Sequence, residues 1–271
     1  MSTARKETIG GTLLVAFVLC IICSVIVAGS AVSLKPVQTA NKQLDRKKNI
    51  LSAAGMLPAG VAGAAEIDAL FERFQVRMVD LDSGKYLDEQ EIAARPELDP
   101  QRYDQIKAAK DTKLSEALPA DEDIASIKRR ENFAQVYLLE EDGQLKKIVL
   151  PIRGYGLWST LYGFLVLEGD ASTVVGLGYY DQKETPGLGG EVDNPKWKAL
   201  WPGKQVYDGN GQVDISVVKG TVDTSAPDAL HKVDGLSGAT LTSQGVQNML
   251  HFWLGEHGFG PYLGRIRGGQ A

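Results

Sequence analysis

The sequence predicts an α+β domain, an antiparallel sheet with flanking helices, carried on one N-terminal transmembrane helix. Three observations predict it. Residues 8–34 contain no charged side chain. Between Val136 and Tyr180, apolar strand-like segments are separated by short turns. After Ser243, the residues Val246, Met249, Leu250, Trp253 and Leu254 recur at the spacing of one helical face.

In chain order, residues 1–11 form a short N-terminal segment and residues 12–34 the transmembrane helix. The uncharged stretch from Leu13 to Val27 is long enough to cross a hydrocarbon layer of ~30 Å. Ala28-Gly29-Ser30-Ala31 is small enough for signal cleavage. The run is nevertheless longer than a typical h-region of ~7–15 residues, so an uncleaved anchor is expected. Arg5 and Lys6 precede the run, whereas Lys35, Lys42, Arg46, Lys47 and Lys48 follow it. That count alone places the remaining domain, residues 35–271, in the cytoplasm. Cys20 and Cys23, the two cysteines of the chain, both lie in the run. They read as small apolar filler, and no disulfide is left to report the compartment.

Residues 36–54 suggest a helix leaving the membrane, closed by Gly55 and Pro58. Residues 64–74 form a second helix, with Ile67, Leu70, Phe71 and Phe74 on one face. Residues 75–81 alternate like a strand and end at the turn Asp82-Ser83-Gly84. Residues 88–131 are polar and poorly periodic, a surface excursion with one helix near 103–109 and no legible function. Two segments around Asp142-Gly143 read as a hairpin, and strands over 161–167 and 173–180 follow. Asp193 or Asn194 caps a short helix opened by Pro195, and residues 212–218 form another strand. The helix after the small-residue loop is capped by Thr242 or Ser243 and ended by Gly255 or Gly258. The tail with Arg265 and Arg267 either contacts partners or frays.

The 271 residues carry a formal net charge of −5 with no basic block, which argues against a nucleic-acid partner. Three histidines without a cysteine outside the membrane run argue against a structural zinc site.

Three stretches carry chemistry. In Asp234-Gly235-Leu236-Ser237-Gly238-Ala239-Thr240, small residues run into a helix N-terminus. Orphan N–H groups and the helix dipole attract phosphate there, and a hydroxyl held at the site binds the ester or becomes part of it. In Glu184-Thr185-Pro186-Gly187-Leu188-Gly189-Gly190, Pro186-Gly187 fits the middle of a type II turn. Arg153-Gly154-Tyr155-Gly156-Leu157-Trp158-Ser159 either admits a flat ligand to its backbone or is an ordinary turn with Trp158 in the core. His231 and Lys232, just ahead of the first stretch, are weak candidates for neutralising a phosphate.

Asp-x-x-Ser-Gly-Ala-Thr resembles the flavinylation motif of the FMN-binding domain family, whose last threonine carries FMN through a phosphoester bond. Glu184–Gly190 and Gly154–Trp158 resemble two further segments of that family, in the same order, so the resemblance covers the C-terminal half. Within the family the chain is similar to the C subunits of Na+-translocating NADH:quinone reductases, with the G subunits of Rnf complexes as cousins. The resemblance implies that Thr240 carries covalent FMN. It also implies a site formed by Asp234, Ser237, Gly238, Ala239, Leu241 and Thr242 with Glu184, Thr185, Gly187, Leu188, Tyr155 and Trp158. Thr185, Gly187 and Leu188 would line a slot for the flavin ring, while Glu184 either tunes the flavin or caps a turn. Gln182 stands where family members carry a histidine, so no proton relay is carried over to it.

The resemblance further implies an electron carrier relaying between a membrane iron–sulfur centre and the flavins of the B subunit. The A, B, D, E and F subunits would complete a membrane complex of six, and a separate flavin transferase would attach FMN taken from FAD. It puts the soluble domain on the periplasmic side of the bacterial inner membrane, against the charge count. Two rivals come from other classes. Gly235-Leu236-Ser237-Gly238-Ala239 is one residue from a Gly-x-Ser-x-Gly nucleophile elbow, but only His251 and His257 follow it and no convincing strand precedes it. A membrane-anchored module that clasps a phosphate ligand noncovalently is the other.

Overall fold

The computed structural model describes residues 8–57 and 63–270; Pro58, expected to close the first helix, lies outside them. The chain divides into two compact units, Met1–Asp45 and Arg46–Ala271. Helix α1 (Ile9–Ala53) accommodates Pro36 in its interior. In the first unit it is long and apolar enough to cross a membrane. Leu13, Phe17, Val25 and Val27 there are all exposed, as side chains that meet lipid rather than protein must be.

The second unit is built on a five-stranded sheet. Its strands are β1 (Phe74–Asp80), β4 (Phe133–Glu141), β5 (Gln144–Tyr155), β6 (Thr160–Glu168) and β7 (Val174–Asp181), hydrogen-bonded in that order. All four pairings are antiparallel. The β4–β5 hairpin closes at Asp142-Gly143, where both residues have positive φ, 53° and 73°, matching the twist of the flanking strands. β4 and β6 are buried along nearly their whole length, because both faces of the sheet are covered.

One face takes the last turns of α1, where Ile50 and Leu51 are fully buried. A Cβ on Gly176 of β7 would lie 2.3 Å from the Ala53 carbonyl, so only glycine lets this helix end seat on the sheet. Gly55, at φ +66°, stops α1: its N–H bonds the Ser52 carbonyl and the Met56 N–H bonds the Leu51 carbonyl, a Schellman close. Helix α2 (Ala64–Phe71) borders the same face through the Phe71–Tyr137 ring contact at 5.7 Å. It ends three residues earlier than the sequence suggests, because Phe74 is already the first residue of β1.

Residues 88–131 are more than a surface excursion. They form α3 (Glu89–Ala94), a 3₁₀ turn at Pro96–Leu98, α4 (Gln105–Ala108), and the paired strands β2 (Ser115–Ala117) and β3 (Arg129–Glu131). α3 opens with a capping box between Asp88 and Glu91. Leu98, Tyr103 and Ala108 build a second core with Met78, Leu87 and Phe133. Arg130 and Glu131 are buried as well. Arg130 ion-pairs with Asp82 and Glu116 and donates to the His257 carbonyl, while Glu131 accepts from Gln105 and from Arg153 of β5. The segment is thus pinned to the main sheet through buried charge.

Farther on, α5 (Pro195–Lys198) is capped by Asn194 rather than Asp193. Within residues 212–218 only β8 (Ser216–Val218) is strand, and it pairs in parallel with β9 (Lys232–Asp234). A three-residue strand therefore does precede the small-residue loop, against the sequence expectation; it is short and supported by one neighbour. α6 (Thr240–Leu254) covers the second face of the sheet and is followed by α7 (Gly260–Arg267). The tail is packed rather than frayed, with Tyr262 and Leu263 buried and the Arg267 guanidinium 3.7 Å from the Tyr207 ring centroid.

Candidate functional site

The site is organised by the approach of α6 to the end of β5. Val246, Met249, Leu250, Trp253 and Leu254 are all buried, as their spacing predicts. A Cβ on Gly245 would lie 2.4 Å from the Tyr155 carbonyl, and one on Gly154 would lie 2.6 Å from Met249 Cβ. Glycine at both places lets the first turns of the helix close on the strand. The indole N–H of Trp253 then donates to the Arg153 carbonyl at 2.7 Å.

The helix begins at Thr240, and its N-cap, Ala239, offers no side-chain acceptor. Thr242 and Ser243 are therefore not caps but members of the first turn. Both are buried and engaged. Thr242 Oγ1 donates to Glu184 Oε2 at 2.9 Å, and Ser243 Oγ donates to the Ala239 carbonyl and accepts from the Leu236 N–H. Ser237 and Thr240 are the exposed hydroxyls of the stretch. Without a cap, the first-turn N–H groups remain available to an external acceptor beside Thr240.

The loop ahead of the helix is held from behind. Asp234 Oδ1 accepts from the Val222 N–H at 2.8 Å, and its carbonyl accepts from the Trp197 indole at 2.8 Å. A Cβ on Gly235 would be 2.3 Å from the Val218 carbonyl. Gly238 takes φ +73°, which swings the chain into the helix under Leu188. The 185–188 segment is a turn closed by Leu188 N–H to the Thr185 carbonyl at 3.1 Å, with Gly187 at φ +76°, as a type II turn requires.

Glu184 joins these parts. Its Oε1 accepts from the N–H groups of Leu157, Trp158 and Ser159 at 3.1, 3.0 and 3.0 Å, while Oε2 receives Thr242. Burial raises its pKa, but the hydrogen bonds from Trp158, Thr242, Ser159 and Leu157 outweigh it and hold the carboxyl below its ordinary value. Cβ atoms on Gly156 or Gly189 would come within 2.7 and 2.6 Å of this carboxylate. Gln182 braces the arrangement, accepting from the Glu184 N–H at 2.7 Å and donating to Asp193 at 3.0 Å.

Around this framework lies a rim of exposed apolar side chains. Trp158 is 68 % exposed, Leu241 62 %, and Tyr155 and Leu188 44 % each. Trp158 is thus at the surface, and the reading of the loop as an ordinary turn over a buried tryptophan is set aside. A cleft of about 710 Å³ is lined by Gly187, Leu188, Lys196, Trp197, Leu200 and the loop 234–238 that leads to Thr240, within the usual size range of ligand pockets.

The three sequence stretches therefore meet at one place. His231 and Lys232 do not: the first bonds the Gln205 carbonyl and the second Asp228. His251 bonds the Ile215 carbonyl at 2.7 Å, and His257 stacks on Phe252 and faces Glu122. Each histidine is so engaged and, among the described residues, none is hydrogen-bonded to Ser237, so the esterase reading loses its support. Lys196, Trp197 and Leu200 carry no site signal in the sequence. Nothing local to that short helix signals that it forms a wall of the cleft.

An FMN-binding domain model matches residues 156–255. The C subunit of the Na(+)-translocating NADH-quinone reductase of Pseudomonas aeruginosa is 56 % identical over 99 % of this chain and all of its own length. The chain belongs to the family of C subunits of Na(+)-translocating NADH-quinone reductases. The Yersinia pestis member of the family is 47 % identical over 98 % of this chain and 96 % of its own. The crystal structure of Shewanella oneidensis NqrC matches with a TM-score of 0.73 at 33 % identity, covering 84 % of this chain and 99 % of that one. The matched domain begins at Gly156 and so takes in the aromatic loop from that residue on, the Glu184 turn and the whole of α6.

Proposed function

We propose that this chain is the membrane-anchored, covalently flavinylated electron-carrier subunit of a Na+-translocating NADH:ubiquinone oxidoreductase, with FMN esterified through its phosphate to Thr240. The observation that carries the reading is the state of the hydroxyls. In the first turn of an uncapped helix, Thr240 is exposed while Thr242 and Ser243 are buried and bonded to protein. The residues present fit the group. Orphan N–H groups suit its phosphate. The cleft of about 710 Å³ and the apolar rim suit a flat ring.

When bound, FMN supplies the ability to accept two electrons together and release them singly. The chain's own residues bind and orient. Gly235 lets the loop close on Val218 and Gly238 turns the chain into the helix that would hold the phosphate, Asp234 and Trp197 fix the loop, and Leu188, Tyr155 and Trp158 offer apolar surface to the ring. In maturation, a separate flavin transferase would pass FMN from FAD to the Thr240 hydroxyl, releasing AMP and the hydroxyl proton. A covalent link keeps the cofactor at its site where dissociation would mean loss by dilution.

The names of the relatives favour the sodium-translocating complex over the Rnf cousin. The same resemblance supports the A, B, D, E and F subunits as partners, residues 12–34 as the span of the bacterial inner membrane, and residues 35–271 as a periplasmic domain. The test is co-expression with a flavin transferase, denaturation, and in-gel flavin fluorescence of the wild type and Thr240→Ala. Fluorescence in the wild type alone is expected. Retained fluorescence in Thr240→Ala refutes the attachment site, and flavin lost on denaturation supports a noncovalent module instead.

A further inference from the structure

We propose that Glu184 is the charged positioning residue of this site: its carboxylate fastens the aromatic loop to the helix that bears Thr240, and its negative charge holds the reduction potential of the bound flavin down. The second half rests on the proposed function; the first does not.

The geometry identifies Glu184 as an internal anion. It is 5 % exposed, and its side chain receives hydrogen bonds from three backbone N–H groups and the Thr242 hydroxyl. A group that only accepts is an ionised carboxylate. One oxygen gathers the Leu157–Ser159 backbone, and the other holds the first turn of α6, two residues from Thr240. The loop's other hydrogen bonds, Gly156 N–H to the Ser159 carbonyl and Lys183 N–H to Ser159 Oγ, both 2.8 Å, do not reach α6. Trp158 is exposed at its ring, so packing does not fix it, and its backbone N–H points at Glu184 rather than into the sheet. Gly156 and Gly189 have no room for a Cβ beside the carboxylate, so the backbone closes on the charge at both places.

Two-electron reduction of a flavin with uptake of one proton leaves one added negative charge. A fixed anion nearby opposes that change. At an effective dielectric constant of about 20, a unit charge about 10 Å away moves such an equilibrium by roughly tenfold.

The experiment uses the full chain in detergent, with Glu184→Gln, Glu184→Ala and Thr242→Val. In the unflavinylated proteins, amide exchange at Leu157, Trp158 and Ser159 is read first. Glu184→Ala should accelerate it about a hundredfold, whereas Glu184→Gln, which retains an acceptor oxygen, should change it less than tenfold. Thr242→Val, which keeps the charge and frees only the helix side, should give an intermediate rise. Exchange unchanged in Glu184→Ala and Thr242→Val overturns the clamp. In the flavinylated proteins, dithionite titration should show Glu184→Gln easier to reduce by about tenfold, ~30 mV for a two-electron couple, with Thr242→Val close to wild type. Normal flavin loading with an unshifted potential in Glu184→Gln overturns the charge effect. A wild-type chain without covalent flavin refutes the proposed function instead, and amide exchange still decides the clamp.

Discussion

Replacing Glu131 by Ala tests whether residues 88–131 are part of the fold that supports the site. Glu131 is fully buried, bonds Gln105, and ion-pairs with Arg153, which is also buried and lies two residues before Tyr155 in β5. Arg153 Nη2 has one further acceptor, the Arg129 carbonyl at 2.9 Å, and its Nε has no partner. Removing the carboxylate leaves a buried guanidinium largely uncompensated, at a cost of about 3–5 kcal/mol. For a domain of this size each kcal/mol shifts Tm by about 2–4 °C, so a fall of roughly 6–20 °C is expected. Thermal unfolding of the detergent-solubilised chain measures it. The double variant Glu131→Leu, Arg153→Met removes both charges and should recover most of the loss, since apolar replacement of a buried pair is often neutral. A single-variant cost below about 1 kcal/mol, or a double variant worse than the single, would refute the reasoning.

Three further outcomes are expected. Thr240→Ser should retain a flavin that survives denaturation, because it keeps the hydroxyl; in-gel fluorescence checks this. Gly189→Ala would force a Cβ to 2.6 Å from both Glu184 Oε2 and Thr242 Oγ1, with an overpacking cost of about 1–3 kcal/mol read by thermal unfolding. The Glu184 carboxyl has a folded pKa below its ordinary value. Its stabilisation is therefore complete above the unfolded value and is lost as pH falls through the folded one. Unfolding measured down from pH 6 should show a steeper acid loss in the wild type than in Glu184→Gln, and parallel curves would contradict the assignment.

Much of this molecule is legible in the sequence where local rules decide. The apolar run to Leu34, the Asp142-Gly143 hairpin, the Pro186-Gly187 turn and the Val246–Leu254 helix face each carry their own signal. Their meeting at one site is not local, but three motifs in a shared order made it readable by resemblance. Other features depended on partners distant in the chain. Thr242 and Ser243 look like caps until Glu184 and Leu236 are seen to occupy their hydroxyls. Arg130 and Glu131 look like solvated charges until Asp82, Glu116 and Arg153 are placed beside them. Trp158 looks like a core residue by type, yet its backbone is held from below while its ring faces outward. Lys196 and Leu200 border the cleft because Trp197 is drawn to the Asp234 carbonyl, 37 residues away.

The central claim is a covalent flavin on Thr240, and peptide mass spectrometry tests it most directly. The chain would be produced with an active flavin transferase, exported, denatured and digested. The account predicts an FMN adduct on the peptide that runs through Gly238-Ala239-Thr240, with fragment ions placing the phosphoester on Thr240 and leaving Ser237, Thr242 and Ser243 unmodified. An unmodified Thr240, or an adduct on Ser237, would contradict it.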